Sequence, residues 1–129
     1  MQNCPQLVMA HFGILRANAV VVPVNPMNRA EELKHYITDP DAKVAITTSD
    51  LAAELANASN QLPKGQALSH LVITQFTDSF DVNVTGDDAP PSAWHDWLFS
   101  KHPLPRLNDG VLHEWQDVLT CNAPLGPVL

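Results

Sequence analysis

The side chains most able to do chemistry in this sequence are six histidines (His11, His35, His70, His95, His102 and His113) and two cysteines (Cys4 and Cys121). Imidazole and thiolate ligands hold zinc when they recur at short fixed spacings, typically two to five residues apart. Here His11 and His35 fall on different expected helices. The other four show no helical or zinc-like spacing among themselves or with the cysteines, so no metal ligand set is assigned. Asp87 and Asp88 form a carboxylate pair that could serve general acid/base work, but they stand in an acidic stretch that reads as a solvated loop. No serine lies in a Gly-x-Ser-x-Gly elbow, where a nucleophile would be exposed beside its base. The five glycines stand singly, so neither a dinucleotide fingerprint nor a phosphate loop is present. The residues by themselves therefore assign no catalytic, cofactor-binding or metal site.

Composition narrows the partners. Fourteen acidic against seven basic side chains give a net charge of −7, the wrong sign for a nucleic-acid or anionic-lipid surface. Apolar residues make up 45% of the 129, enough for one domain with a core. The longest apolar run, Ala19 to Val24, falls well short of the ~20 residues of a membrane helix. Two thiols in a chain of this size suit a reducing compartment, so the expected location is the cytoplasm.

The elements that would position any site follow from periodicity. Pro5 suits a first helical turn, and Leu7, Val8, Phe12, Ile14 and Leu15 recur at the spacing of a buried helix face, predicting a helix over 5–17. Asn18 tolerates the left-handed backbone that ends it. Ala19 to Val24 is β-branched without alternation and reads as a strand covered on both faces. Asn28 followed by Glu31 predicts a capped helix over 29–38. A strand over 43–48, a helix from Ser49 or Asp50 to 60, and a strand over 70–76 complete an α-β-α-β-α-β order. Val21 and Ile46 are expected on neighbouring parallel strands, both buried. Alternation of this kind means α/β architecture with a mostly parallel sheet.

After Thr77 the pattern changes. Asp78, Asp81, Asp87, Asp88, Asp96, Asp109, Glu114 and Asp117 stand against Lys101 and Arg106, with four prolines and three tryptophans among them. Only 93–99 reads as helical, while 113–119 fits a strand or a short helix. The expected organisation is an α/β part over 1–76 followed by an irregular acidic extension over 77–129.

One series of residues carries more than its periodicity. Asn3-Cys4-Pro5-Gln6-Leu7, then Phe12-Gly13-Ile14-Leu15-Arg16-Ala17-Asn18 through Val24-Asn25-Pro26, Glu31-Glu32-Leu33, Tyr36-Ile37 and Ala42-Lys43-Val44 resembles, in order and spacing, the early part of acyl-CoA synthetases of the adenylate-forming superfamily. Asn18 stands where those proteins commonly have glycine, and both residues accept a left-handed backbone. The resemblance implies an enzyme that activates a carboxylic acid with ATP and Mg²⁺ to an acyl-adenylate and passes the acyl group to coenzyme A. It also implies that the chain is an amino-terminal piece of such a ligase, ending before the Ser/Thr/Gly-rich phosphate loop, and therefore inactive alone. Its partners would be the remainder of the enzyme and, through exposed sheet edges, other copies of itself. Two other readings stay open: an adenylation domain that loads a carrier protein, and a non-catalytic interaction module docking through the Trp-containing acidic region.

Overall fold

In the computed structural model, which describes residues 1–81, 83–121, 124, 126 and 127, Pro5 occupies the first turn of helix α1 (Pro5–Arg16). Asn18 adopts φ +56° just beyond its end, the left-handed conformation that turns the chain away. Helix α2 (Ala30–Thr38) starts two residues later than Asn28. Glu32, not Glu31, reaches back to accept the Arg29 N–H at 2.6 Å, and Glu54 accepts the Ala30 N–H at 2.8 Å, so the cap is shared between two helices.

Strand β1 (Val44–Thr48) leads straight into α3 (Ser49–Asn60), and β2 (His70–Thr74) follows. The two strands are parallel, with Ile46 opposite Val72. The acidic extension then returns to the sheet. Strand β3 (Val111–Glu114) pairs parallel to β2, with His70 opposite Val111, and runs into α5 (Trp115–Thr120). Between β2 and β3 the described residues form three 3₁₀ turns and the single-turn helix α4 (His95–Leu98). The strand order is β1-β2-β3.

The two-residue period of β2 divides the core. Leu71 and Ile73 face Leu33, Ile37, Ala52 and Ala56 from α2 and α3, joined by Leu68 and Leu107. Val72 faces the other way, against Ala10 of α1 and Trp115 of α5, with Ile46 beside them. Helices thus cover both faces of a parallel sheet, as the alternation requires.

Three expectations fail here. Ala19 to Val24 forms no strand and pairs with none among the described residues, and Val20 is 85% exposed. Ile46 is only half-buried and neighbours Val72, not Val21. The buried residues of α1 are Gln6 and Ala10, whereas Val8, Phe12 and Leu15 are exposed. In both regions apolar residues are present, but no described element covers those named as exposed.

Candidate functional site

In open α/β sheets ligands sit beyond the carboxyl ends of the strands, and that edge is where the polar side chains of this chain converge. At the end of β2, the Thr74 hydroxyl and the Gln75 N–H both donate to Asp78 Oδ2 at 2.8 Å. Gln6 of α1 is fully buried and donates through Nε2 to the Gln75 carbonyl at 2.7 Å. Gln116 of α5 donates to the Asp78 carbonyl at 3.2 Å. Two helices from one face are thereby tied to a single strand end.

Four buried polar atoms on this side have no partner among the described residues: Gln6 Oε1, Thr48 Oγ1, Asp50 Oδ1 and Trp115 Nε1. Native interiors rarely leave such groups unpaired, so this edge is built to meet further polar groups. It offers acceptors, a hydroxyl and an indole donor. The hydroxyl paired with a carboxylate here is that of Thr74, which donates to Asp78.

A triphosphate needs backbone N–H groups at a strand-to-helix turn, usually glycine-rich. The turn from β1 to α3 places Thr48 at the cap and the Asp50 carboxylate in the first turn, which would repel phosphate. That turn therefore does not suit a triphosphate.

The sequence-weighed candidates are scattered. Asp87 and Asp88 lie on an exposed 3₁₀ turn. Cys4 and Cys121 are free thiols. Gly65 and Gly86 take positive φ in surface turns, remote from any helix cradle. The structure does bring together one pair that spacing could not show: His70 Nδ1 and His113 Nε2 lie 3.0 Å apart across β2 and β3. The signal for it is the register of β3, which has to be known before residues 43 positions apart can be called neighbours. Among the described residues no group of three or more His, Cys, Asp or Glu could hold a metal, and no helix is long and apolar enough to cross a membrane.

A cleft of about 1450 Å³ is lined by α1, residues 19–26 and β1, with parts of α2, α3 and α5. Its walls are mainly aliphatic, including Val8, Phe12, Val20, Val22 and Val44. Met1, Asn3 and Asp50 stand along it as well. Burial lowers the pKa of the Met1 amine below its ordinary 8.0, and Cys4 and Asp50 draw it partly back up.

Comparison with known proteins gives a consistent picture. The model of the family described as AMP-binding enzyme matches residues 1–124. A long-chain-fatty-acid–CoA ligase of Escherichia coli is 35% identical over 78 residues, 60% of this chain and 13% of that protein. The long-chain-fatty-acid–CoA ligase heimdall of Drosophila melanogaster is 36% identical over 70 residues, 54% of this chain and 10% of that protein. A linear gramicidin synthase of Brevibacillus parabrevis is 29% identical over 62 residues, 48% of this chain and 1% of that protein. The chain thus spans a small fraction, 13% or less, of the curated relatives quoted. No solved structure matches.

Proposed function

The chain belongs to the AMP-binding enzyme family, and from that premise we propose that it is part of the framework of an ATP-dependent acyl-CoA ligase acting on fatty acids. The observation that carries this reading is the agreement of bacterial and insect long-chain-fatty-acid–CoA ligases at 35–36% identity over 78 and 70 residues of the chain. In such a protein ATP, Mg²⁺ and coenzyme A would be held by residues outside this chain. The chain itself would position the strand ends, with residues 1–76 as the α/β part and 77–129 leading towards the phosphate loop. The location proposed is the cytoplasm.

The test uses the full-length protein encoded with this chain. Fatty-acid-dependent release of AMP and pyrophosphate, with formation of the acyl thioester of coenzyme A, is the expected result. Absence of fatty-acid-dependent exchange between pyrophosphate and ATP would refute it. The similarity to a gramicidin synthase supports a second reading, transfer to a carrier protein, which the same assay separates by replacing coenzyme A with a carrier domain. The 129-residue chain alone should show no exchange activity. It should also self-associate through the free edge of β1, which light scattering against concentration would reveal; a monomer at every concentration would count against it.

A further inference from the structure

We propose that His70 and His113 form a two-imidazole chelate for a late first-row divalent cation, Cu²⁺ or Ni²⁺, at the amino-terminal end of the sheet. The assignment rests on the pairing of β2 with β3 and is independent of the ligase reading.

The sheet brings the two rings together. His70 stands opposite Val111, and His113 opposite Val72, in the parallel register. Side chains two apart on a strand share a face, so both rings lie on the face where Val72 meets Ala10 and Trp115. Helices α1 and α5 cover that face towards the carboxyl ends of the strands, where Gln6 also reaches Gln75. At the amino ends Val44 and Val111 are each 55% exposed, His70 is exposed and His113 is half-buried. Solvent and its ions therefore reach the rings, while the backbone beneath them is held by buried Leu71, Val72 and Ile73.

The spacing suits a shared metal. His70 Nδ1 and His113 Nε2 are 3.0 Å apart, with ring centroids 5.2 Å apart and planes inclined by 41°. Neutral imidazole binds metals through either ring nitrogen, with bonds of about 2.0–2.1 Å. At that length two nitrogens 3.0 Å apart subtend about 94° at the metal. A tetrahedral centre would hold them about 3.3 Å apart, and a square-planar or octahedral one about 2.9 Å. The pair is thus nearer the tetragonal preference of Cu²⁺ and Ni²⁺ than that of tetrahedral Zn²⁺. Mg²⁺ selects oxygen ligands and does not compete.

Without metal, one ring donates its N–H to the other across the same 3.0 Å. On binding, that proton passes through solvent to the other nitrogen of its own ring, so that His70 Nδ1 and His113 Nε2 both present lone pairs. Each ring also turns by roughly 40° to aim at a point beside the line joining the nitrogens. Among the described residues no third His, Cys, Asp or Glu joins them, and water fills the remaining positions. The net charge of −7 favours a cation. A metal held here links β3 to β2 a second time, beside the backbone ladder, and stabilises the paired state.

The test is calorimetric titration of the tag-free full-length protein with Ni²⁺. The His70→Gln/His113→Gln variant should bind one Ni²⁺ fewer than the wild type. Losing even an outer partner of a metal ligand costs 10–100-fold, so each single variant should weaken this site by at least ~10-fold. Equal stoichiometry and affinity in the wild type and the double variant means adventitious binding elsewhere and overturns the proposal. A single variant that keeps wild-type affinity overturns it as well, as does tighter binding of Zn²⁺ than of Ni²⁺ at this site. A second measurement needs no variant. Amide exchange at Leu112 and His113 of the wild type should slow at least ~10-fold on saturation with Ni²⁺ and stay unchanged with Mg²⁺. Exchange in β3 that ignores Ni²⁺ leaves only an imidazole hydrogen bond and overturns the site.

Discussion

Residues 30–74 and residues 76–106 contain similar kinds of side chain and treat them oppositely. In the first stretch Ala52, Ala58 and Leu71 are fully buried, and Leu68 nearly so. In the second, no described residue is buried, and Trp94 and Trp97 are 58% and 48% exposed. The difference is periodicity. Apolar residues at helix or strand spacing share one face and can be buried together. The same residues among prolines and aspartates are held in 3₁₀ turns of three or four residues and in the single-turn α4, too short to align an extended stripe. Hydrophobicity supplies a driving force, and spacing decides whether it can be used.

The sharpest way to break this contrast is to truncate one residue in each region. Leu71→Ala should lower stability by about 2–5 kcal/mol through lost burial and a residual cavity, read as a shift in the urea midpoint. Next is Gly110→Ala, at the point where the excursion rejoins the sheet. A Cβ there would lie 2.5 Å from Leu107 Cδ2 and 2.7 Å from the Leu68 and Ser69 carbonyl oxygens. Two of these neighbours are backbone, so the change should cost about 1–3 kcal/mol, with loss of exchange protection in β3 before β1.

Ser59→Ala removes the buried hydroxyl that accepts the Leu68 N–H at 3.0 Å, and an unpaired buried donor should cost about 1–2 kcal/mol. Trp97→Ala should matter least. Its ring meets Phe76 at a centroid separation of 4.8 Å, but on an exposed surface, so the loss should stay near ~0.5–1 kcal/mol. A larger cost for Trp97→Ala than for Leu71→Ala would show that the excursion, not the α2-to-β2 unit, holds the core.

The sequence was legible where structure is local. Helices α1, α2 and α3 and strands β1 and β2 lie within two residues of their expected bounds, because caps, prolines and periodicity act over a few positions. Strand β3 was not legible as such. Val111–Glu114 is short and nowhere buried, so its identity comes from pairing with β2, and pairing leaves no local signature. Residues 19–24 failed in the reverse direction: the text of a covered strand is present without its neighbours. For the candidate site, the sequence expected the cap of α3 at Ser49 or Asp50 and the structure places it at Thr48, with Asp50 in the first turn, whereas the convergence of Gln6, Gln75, Asp78 and Gln116 depended on how three elements meet. The His70–His113 contact was hidden for the same reason.

One small feature bears on how the chain assembles. Asn60, at the end of α3, donates through Nδ2 to the Arg106 carbonyl at 2.7 Å and accepts the Asn108 N–H through Oδ1 at 2.8 Å. It thereby grips both sides of buried Leu107. Bringing β3 to β2 means closing a loop from Gln75 to Gly110, with a length-dependent entropic cost of about 3 kcal/mol, and distant contacts of this kind form late. Asn60 sits on a helix that local interactions can form early, so it acts as a latch waiting for the returning chain. Once Leu107 is caught, the two peptide groups flanking it lock the register and β3 has little distance left to search. The expected order of folding is therefore the α2-to-β2 unit first and β3 after Leu107 is caught.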